Sequence, residues 1–414
     1  MTSFFQNSDS KPQTIRHSWS SLFGAIAAGL AFFLFFGIGA GLFFYGLVGN
    51  TSTPFDPNFI LNYWIPASTF GFLGCLFLPS LLFRLAGWFG WSFPTLQQIR
   101  LPAPFFLLLL FVVAVLIGNQ ISRMSSGVAL SLPIFHILAI SLPVAFFLSL
   151  ALRKTSQPFP QQRWMSFNLG MGLAPLLILI FESLAMIVFI IVFAFWIGNQ
   201  PDLLKELEYL ISQFRQTPPS SEAILKFLQP SLSQPGMITG IIVFTSIVIP
   251  MIEEAIKPLG VYFLHRKIQN ELDGFILGAL SGGGYALLES FLISSTNVDW
   301  TLTILSRSAT AVIHIFTSAL LGSAIARALL DKKRIQLFLT YLSCIFFHGV
   351  WNGLAIFYSL YSITDHISGI WQNSFLRNLA NSAPLSIFFL FLYLTVALLF
   401  FRNSIRKHSG IMSL

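Results

Sequence analysis

An all-α, polytopic membrane bundle of about ten spanning helices is the fold this sequence predicts, and three observations predict it. Of 414 residues, 55% are hydrophobic and only 9% are charged, with a mean hydropathy of +0.77; an ordinary soluble domain carries about 25% charged residues. The apolar residues run in stretches near the roughly 20 that a bilayer requires, at about 22–48, 65–88, 102–119, 130–152, 169–197, 238–264, 273–294, 306–328, 336–358 and 383–402. Basic residues gather on alternate connections. Lys11, Arg16, Arg84, Arg100, Arg153, Lys154, Arg163, Arg266, Lys267, Arg327, Lys332, Lys333, Arg334, Arg402, Arg406 and Lys407 share one side if both termini are cytoplasmic, leaving Arg123, Lys205, Arg215, Lys226, Arg307 and Arg377 on the other. This is the positive-inside asymmetry, and it requires an even number of spans. The net charge of +8 is accounted for by topology, so no nucleic-acid partner is expected.

In chain order, residues 1–21 are polar and read as a short cytoplasmic tail. The first apolar segment follows basic residues but far exceeds the 7–15 residues of a secretory signal core, which makes it an uncleaved anchor. The five spans up to residue 198 are rich in Phe, Leu and Gly and hold two polar candidates, His136 and Glu182. His136 reads as a satisfied core histidine. Glu182 is an intramembrane carboxylate and so a candidate by type, but no second polar residue at helical spacing supports it, and a structural hydrogen bond explains it as well. Cys75 and Cys344 both fall in spans and read as small buried apolar residues, not a disulfide.

Residues 199–236 are the long extramembrane segment, placed outside. Apolar residues at 203, 204, 207, 210, 211 and 214 have amphipathic-helix spacing, Pro218 and Pro219 stop that helix, and Ser221 to Leu228 begins a second. A hairpin lying on the outer membrane surface and a lid or docking element are both open readings. Residues 237–358 form the core of four spans, and 359–414 an outer loop, the last span and a cytoplasmic tail.

Chemistry concentrates in the core. Pro250-Met-Ile-Glu-Glu-Ala-Ile-Lys-Pro258 sets two carboxylates and a lysine inside an apolar span, where each charge costs a few kcal/mol unless partnered. On a helix Lys257 reaches both Glu253 and Glu254. Pro258 lacks an N–H and clashes with the carbonyl four residues back, so a kink or break is expected at the acidic pair, with the Glu254 carbonyl left free. On the next span Gly274, Gly278 and Gly282 recur every four residues, permitting close approach of another helix, and Tyr285 and Glu289 continue that face. His314, Ser318 and Gly322 share a face of the eighth span, and His348 and Asn352 lie one turn apart on the ninth. At about 1.5 Å per residue, the glutamates, histidines and Asn352 all fall roughly 15–25 Å from the cytoplasmic boundary. They share one layer of the bilayer.

Glu-Glu-x-x-Lys at 253–257, Gly-x-x-x-x-Glu at 284–289, His314 with Gly322, and His-x-x-x-Asn at 348–352, in this order on four successive spans, resemble the PrsW family of intramembrane proteases. That family sits in a wider superfamily with the CAAX-prenyl proteases and the gamma-secretase scaffold subunit. The resemblance covers roughly residues 237–357 and implies peptide-bond hydrolysis of a membrane-anchored protein substrate, in the lipid bilayer of a cell membrane such as a bacterial plasma membrane. It implies that the double glutamate and His314 activate water while His348 and Asn352 stabilise an oxyanion; Glu253, Glu254, Lys257, Glu289, His314, His348 and Asn352 are then the catalytic set. A zinc version, with His314, His348 and Glu289 as ligands and another glutamate as base, stays open. The sequence has no His-Glu-x-x-His, and no local spacing demands zinc, so a glutamate mechanism is preferred. Thr310 stands where the superfamily often has an aromatic. Two other classes remain: a non-catalytic scaffold, which would lack the acidic pair, and a transporter, which would usually show internal repeats.

Overall fold

In a computed structural model, the described residues are 19–49, 57–90, 101–124, 127–155, 160–214, 234–293, 300–364 and 369–408. Among them there are helices and no strands, and ten helical stretches are long and apolar enough to cross a membrane. In order the helices are α1 (Trp19–Gly49), α2 (Pro57–Cys75), α3 (Leu78–Phe89), α4 (Pro104–Ser122), α5 (Leu132–Leu152), α6 (Pro160–Asn168), α7 (Ala174–Gly198), α8 (Pro201–Phe214), α9 (Pro235–Val243), α10 (Ile249–Ile256), α11 (Leu259–Phe263), α12 (Glu271–Ile293), α13 (Trp300–Leu330), α14 (Arg334–Thr364) and α15 (Ser374–His408). Two five-residue π-helical turns interrupt long spans. One, Leu169–Leu173, joins α6 to α7; the other, Phe244–Val248, joins α9 to α10. The expected extramembrane helix is α8; the second short helix at 221–228 lies outside the described residues.

The centre of the bundle is the pair α12 and α13. Within their apolar windows 89% and 94% of residues are buried, against 17% in the first span. Lipid tails are as apolar as leucine, so two such helices are not driven together by hydrophobicity but by close packing. The glycine stripe supplies it. A Cβ at Gly274, Gly278 or Gly282 would overlap the backbone carbonyl of Gly322, Ser318 or His314 respectively. The same helix is approached from its other side: a Cβ on Gly284 would overlap the Phe167 carbonyl, and one on Gly170 that of Ser281.

Side chains on α6 then tie the N-terminal half to this centre. Ser166 Oγ donates to the Leu277 carbonyl at 2.6 Å, and Asn168 Nδ2 to Ser80 Oγ at 2.8 Å. His136 on α5 is buried and accepts a hydrogen bond from Trp300 Nε1 at 3.1 Å, in keeping with a satisfied core histidine.

Candidate functional site

The break at Pro258 comes first, because it positions the lysine. α10 ends at Ile256, Lys257 and Pro258 form a turn, and α11 restarts at Leu259. At the break the Lys257 carbonyl finds a partner on another helix: Ser281 Oγ on α12 donates to it at 2.6 Å and itself accepts from the Gly260 N–H at 3.3 Å. One serine thus closes both sides of the break. The Lys257 N–H still donates to the Glu253 carbonyl at 2.8 Å, so the lysine backbone is held on both sides.

The Lys257 side chain is fully buried, among the largest such side chains of the described residues. Its ammonium lies 2.7 Å from Glu253 Oε2, 2.9 Å from Glu254 Oε1, 2.8 Å from His314 Nδ1 and 3.2 Å from His348 Nδ1. The Tyr285 ring lies beneath it, 4.9 Å from nitrogen to centroid, a favourable cation–π placement. An isolated buried charge costs several kcal/mol; here two carboxylates, two imidazoles and an aromatic face replace the lost water.

An ammonium has three N–H donors, and its three shortest contacts are Glu253, His314 and Glu254. That assignment makes His314 Nδ1 an acceptor, so its proton sits on Nε2, which lies 2.6 Å from Glu289 Oε2. Glu289 also meets Arg307 at 2.9 Å. His348 Nδ1 is 2.8 Å from Glu254 Oε1 and therefore carries the proton that it donates there. Its other nitrogen, Nε2, is left with a lone pair, 3.9 Å from Glu253 Oε2. The result is a continuous polar chain from Arg307 through Glu289, His314 and Lys257 to the acidic pair and His348, spanning α10, α12, α13 and α14. It is most open at Glu289, whose side chain is 23% exposed, against 6% for Glu253 and 0% for Glu254.

Asn352 is one turn from His348, but its Nδ2 donates elsewhere, to the Thr245 carbonyl in the second π turn at 3.1 Å. α14 can lie this close because of glycine. A Cβ on Gly349 would overlap the Ser246 carbonyl. The sequence His348-Gly-Val-Trp-Asn-Gly353 therefore both presents a histidine and docks the helix that carries it. Glu254 Oε2 and Ser246 Oγ are buried without a hydrogen-bond partner among the described residues.

Glu253, His314 and His348 each offer a ligand atom within 4.8 Å of the others. Two imidazoles and a carboxylate are the donor chemistry of a catalytic divalent metal. The glutamate in this trio is Glu253. Glu289, expected there from the sequence, is instead directed to the far nitrogen of His314 and to Arg307. Arg307, which the sequence presents as a basic residue at the end of a span, is also part of the polar chain through Glu289. Glu182 on α7, a helix that packs against α10 and α12, has a buried oxygen, Oε1, without a hydrogen-bond partner among the described residues.

Residues 219–377, about two fifths of the chain, match the model of a family described as PrsW family intramembrane metalloprotease. No curated protein and no solved structure matches the chain.

Proposed function

We propose that this chain, similar over residues 219–377 to the PrsW family of intramembrane proteases, hydrolyses peptide bonds of membrane-anchored proteins with a water molecule activated by glutamate. The observation that carries the reading is the convergence of Glu253, Glu254, His314 and His348 from three helices on one buried ammonium. A scaffold has no use for so costly an arrangement. The ten apolar helical stretches accord with a multi-pass membrane protein whose substrate reaches the site from the bilayer.

Each residue then has a role its contacts support. A water taken up between Glu253 Oε2 and His348 Nε2, 3.9 Å apart, donates one hydrogen to each. Glu254 fixes the His348 ring by accepting from Nδ1. As the water oxygen bonds the scissile carbonyl carbon, Glu253 takes its proton; the C–N bond breaks as the leaving amine nitrogen takes that proton back. In this assignment His348 orients the water, and the oxyanion contact expected of the His348 and Asn352 pair falls to the second amide hydrogen of Asn352. Glu289 and Arg307 hold His314, which with the carboxylates holds Lys257 in place. A divalent ion bound by Glu253, His314 and His348 would supply Lewis-acid polarisation at the same centre.

The test is cleavage of a single-span reporter substrate by the purified full chain in liposomes. Products ending within the span are expected, and chelators are expected to leave the rate unchanged. Activity abolished by chelation and restored by stoichiometric zinc would replace the glutamate mechanism with the metal one. An intact reporter in the presence of folded protein would remove the peptidase reading altogether.

A second expectation concerns Glu182, outside the matched region. Its buried oxygen without a hydrogen-bond partner among the described residues, on a helix packed against those that carry Glu253 and Glu289, predicts that Glu182→Gln lowers turnover by less than the roughly 10²-fold at the bottom of the range for acid–base groups, while the melting temperature stays at the wild-type value. Unchanged turnover would return Glu182 to helix packing.

A further inference from the structure

The ammonium of Lys257 stands among the donors that would bind a metal. Glu253 Oε2 and His314 Nδ1 lie 2.7 and 2.8 Å from Nζ, and the His348 ring, whose Nε2 keeps the free lone pair, has its Nδ1 3.2 Å away. Zinc bound to imidazole and carboxylate sits about 2.0–2.2 Å from its ligands, so an ion drawing in these donors would take the volume that Nζ fills. The two cations cannot share it, since like charges this close in a dry site repel strongly. Nor is Lys257 poised to swing aside. Its side chain is fully buried, its carbonyl is held by Ser281 and its N–H by Glu253, and Tyr285 covers the ammonium.

We infer that the Lys257 ammonium is the resident cation of this cage, so that it and a divalent metal ion are alternative occupants of the space between Glu253, His314 and His348. The lysine does there what a metal would do for packing and charge: it gathers donors from separate helices and offsets the two carboxylates. What it does not provide is an open coordination position, and this is why the water is assigned to Glu253 and His348. The inference deepens the peptidase reading and rests on it for the identity of the site.

Zinc stoichiometry tests it, in the purified full chain equilibrated with a small excess of zinc and freed of unbound ion, with thermal melting alongside. The wild-type chain is expected to retain no zinc that depends on His314 and His348. Lys257→Met is expected to retain about one zinc per chain, the stoichiometry of a single His/His/Glu site, with a melting temperature that zinc raises. Adding His348→Ala should remove both effects. If the loss of the ammonium prevents folding, Lys257→Met combined with Glu254→Gln removes one of the two facing carboxylates and keeps all three donors. A wild-type chain holding one zinc that His314→Ala and His348→Ala abolish overturns the inference, as does a folded lysine-free variant that takes up none. If neither lysine-free variant accumulates, the wild-type result decides alone. Neither readout uses a substrate, so failure here leaves the peptidase reading standing, and absence of cleavage leaves the occupancy result standing.

Discussion

Glu253→Gln is expected to abolish cleavage in a folded, membrane-inserted protein. Glutamine keeps the size of the side chain and one acceptor oxygen, so the contact with Lys257, now 2.7 Å, survives without its charge, and what is lost is the base. General bases contribute roughly 10²–10⁴-fold, enough to take a slow peptidase below detection. Glu254→Gln should look different. Glu254 is wholly buried and binds Lys257 and His348 through one oxygen, so neutralising it weakens the anchor of the ammonium and frees the His348 ring. Removing one partner of a buried ion pair typically costs about 3–5 kcal/mol, softened here because Glu253 still faces the lysine. The expected result is therefore lower turnover together with a lower melting temperature. Cleavage of a membrane-anchored reporter and thermal melting, measured for both variants, separate the two roles. If both cleave at the wild-type rate, the acidic pair is structural and the peptidase reading fails.

Why these residues were legible from sequence is a matter of cost. A charge in an apolar span is expensive wherever the chain folds, so Glu253, Glu254, Lys257, Glu289 and the two histidines declare themselves before any contact is known. The ten apolar stretches follow from the same arithmetic of length and hydropathy. What sequence could not resolve is which oxygen faces which nitrogen. Glu289 and Glu253 are equally plausible partners for two histidines on helix-period reasoning, and only the packing of α12 against α13 turns Glu289 to His314 Nε2. Arg307 was hidden by its place at a span end, where a basic residue is ordinarily a topology signal. The π turns are not encoded by any residue pattern; they accompany tertiary contacts such as Asn352 Nδ2 on the Thr245 carbonyl. Gly349 and Gly353 did carry a readable signal, small residues one turn apart beside a histidine, of the same kind as the stripe on α12.

Gly278→Leu is the second large effect, and it falls on folding before it falls on chemistry. A Cβ at Gly278 overlaps the Ser318 carbonyl and comes within 3.1 Å of the Ala319 Cα. Both are backbone, with no side chain able to rotate away, so α12 and α13 must separate along the seam that also contains Gly274 and Gly282. Overpacking a core usually costs about 1–3 kcal/mol when side chains can yield; an obstruction made of backbone should exceed that. Gly283→Ala is the control on the neighbouring face, where the three atoms nearest the added methyl all belong to the Leu148 side chain, the nearest at 2.9 Å, and a leucine can change rotamer. The leucine variant is expected to aggregate or to melt well below wild type in detergent, and the alanine variant to melt near it. Any Gly278→Leu protein that survives should be inactive, because Glu289 and Tyr285 ride on α12 while His314 rides on α13, and parting the helices breaks the 2.6 Å contact between Glu289 and His314. Wild-type melting and wild-type cleavage in that variant would show that the glycine seam does not set the geometry of the site.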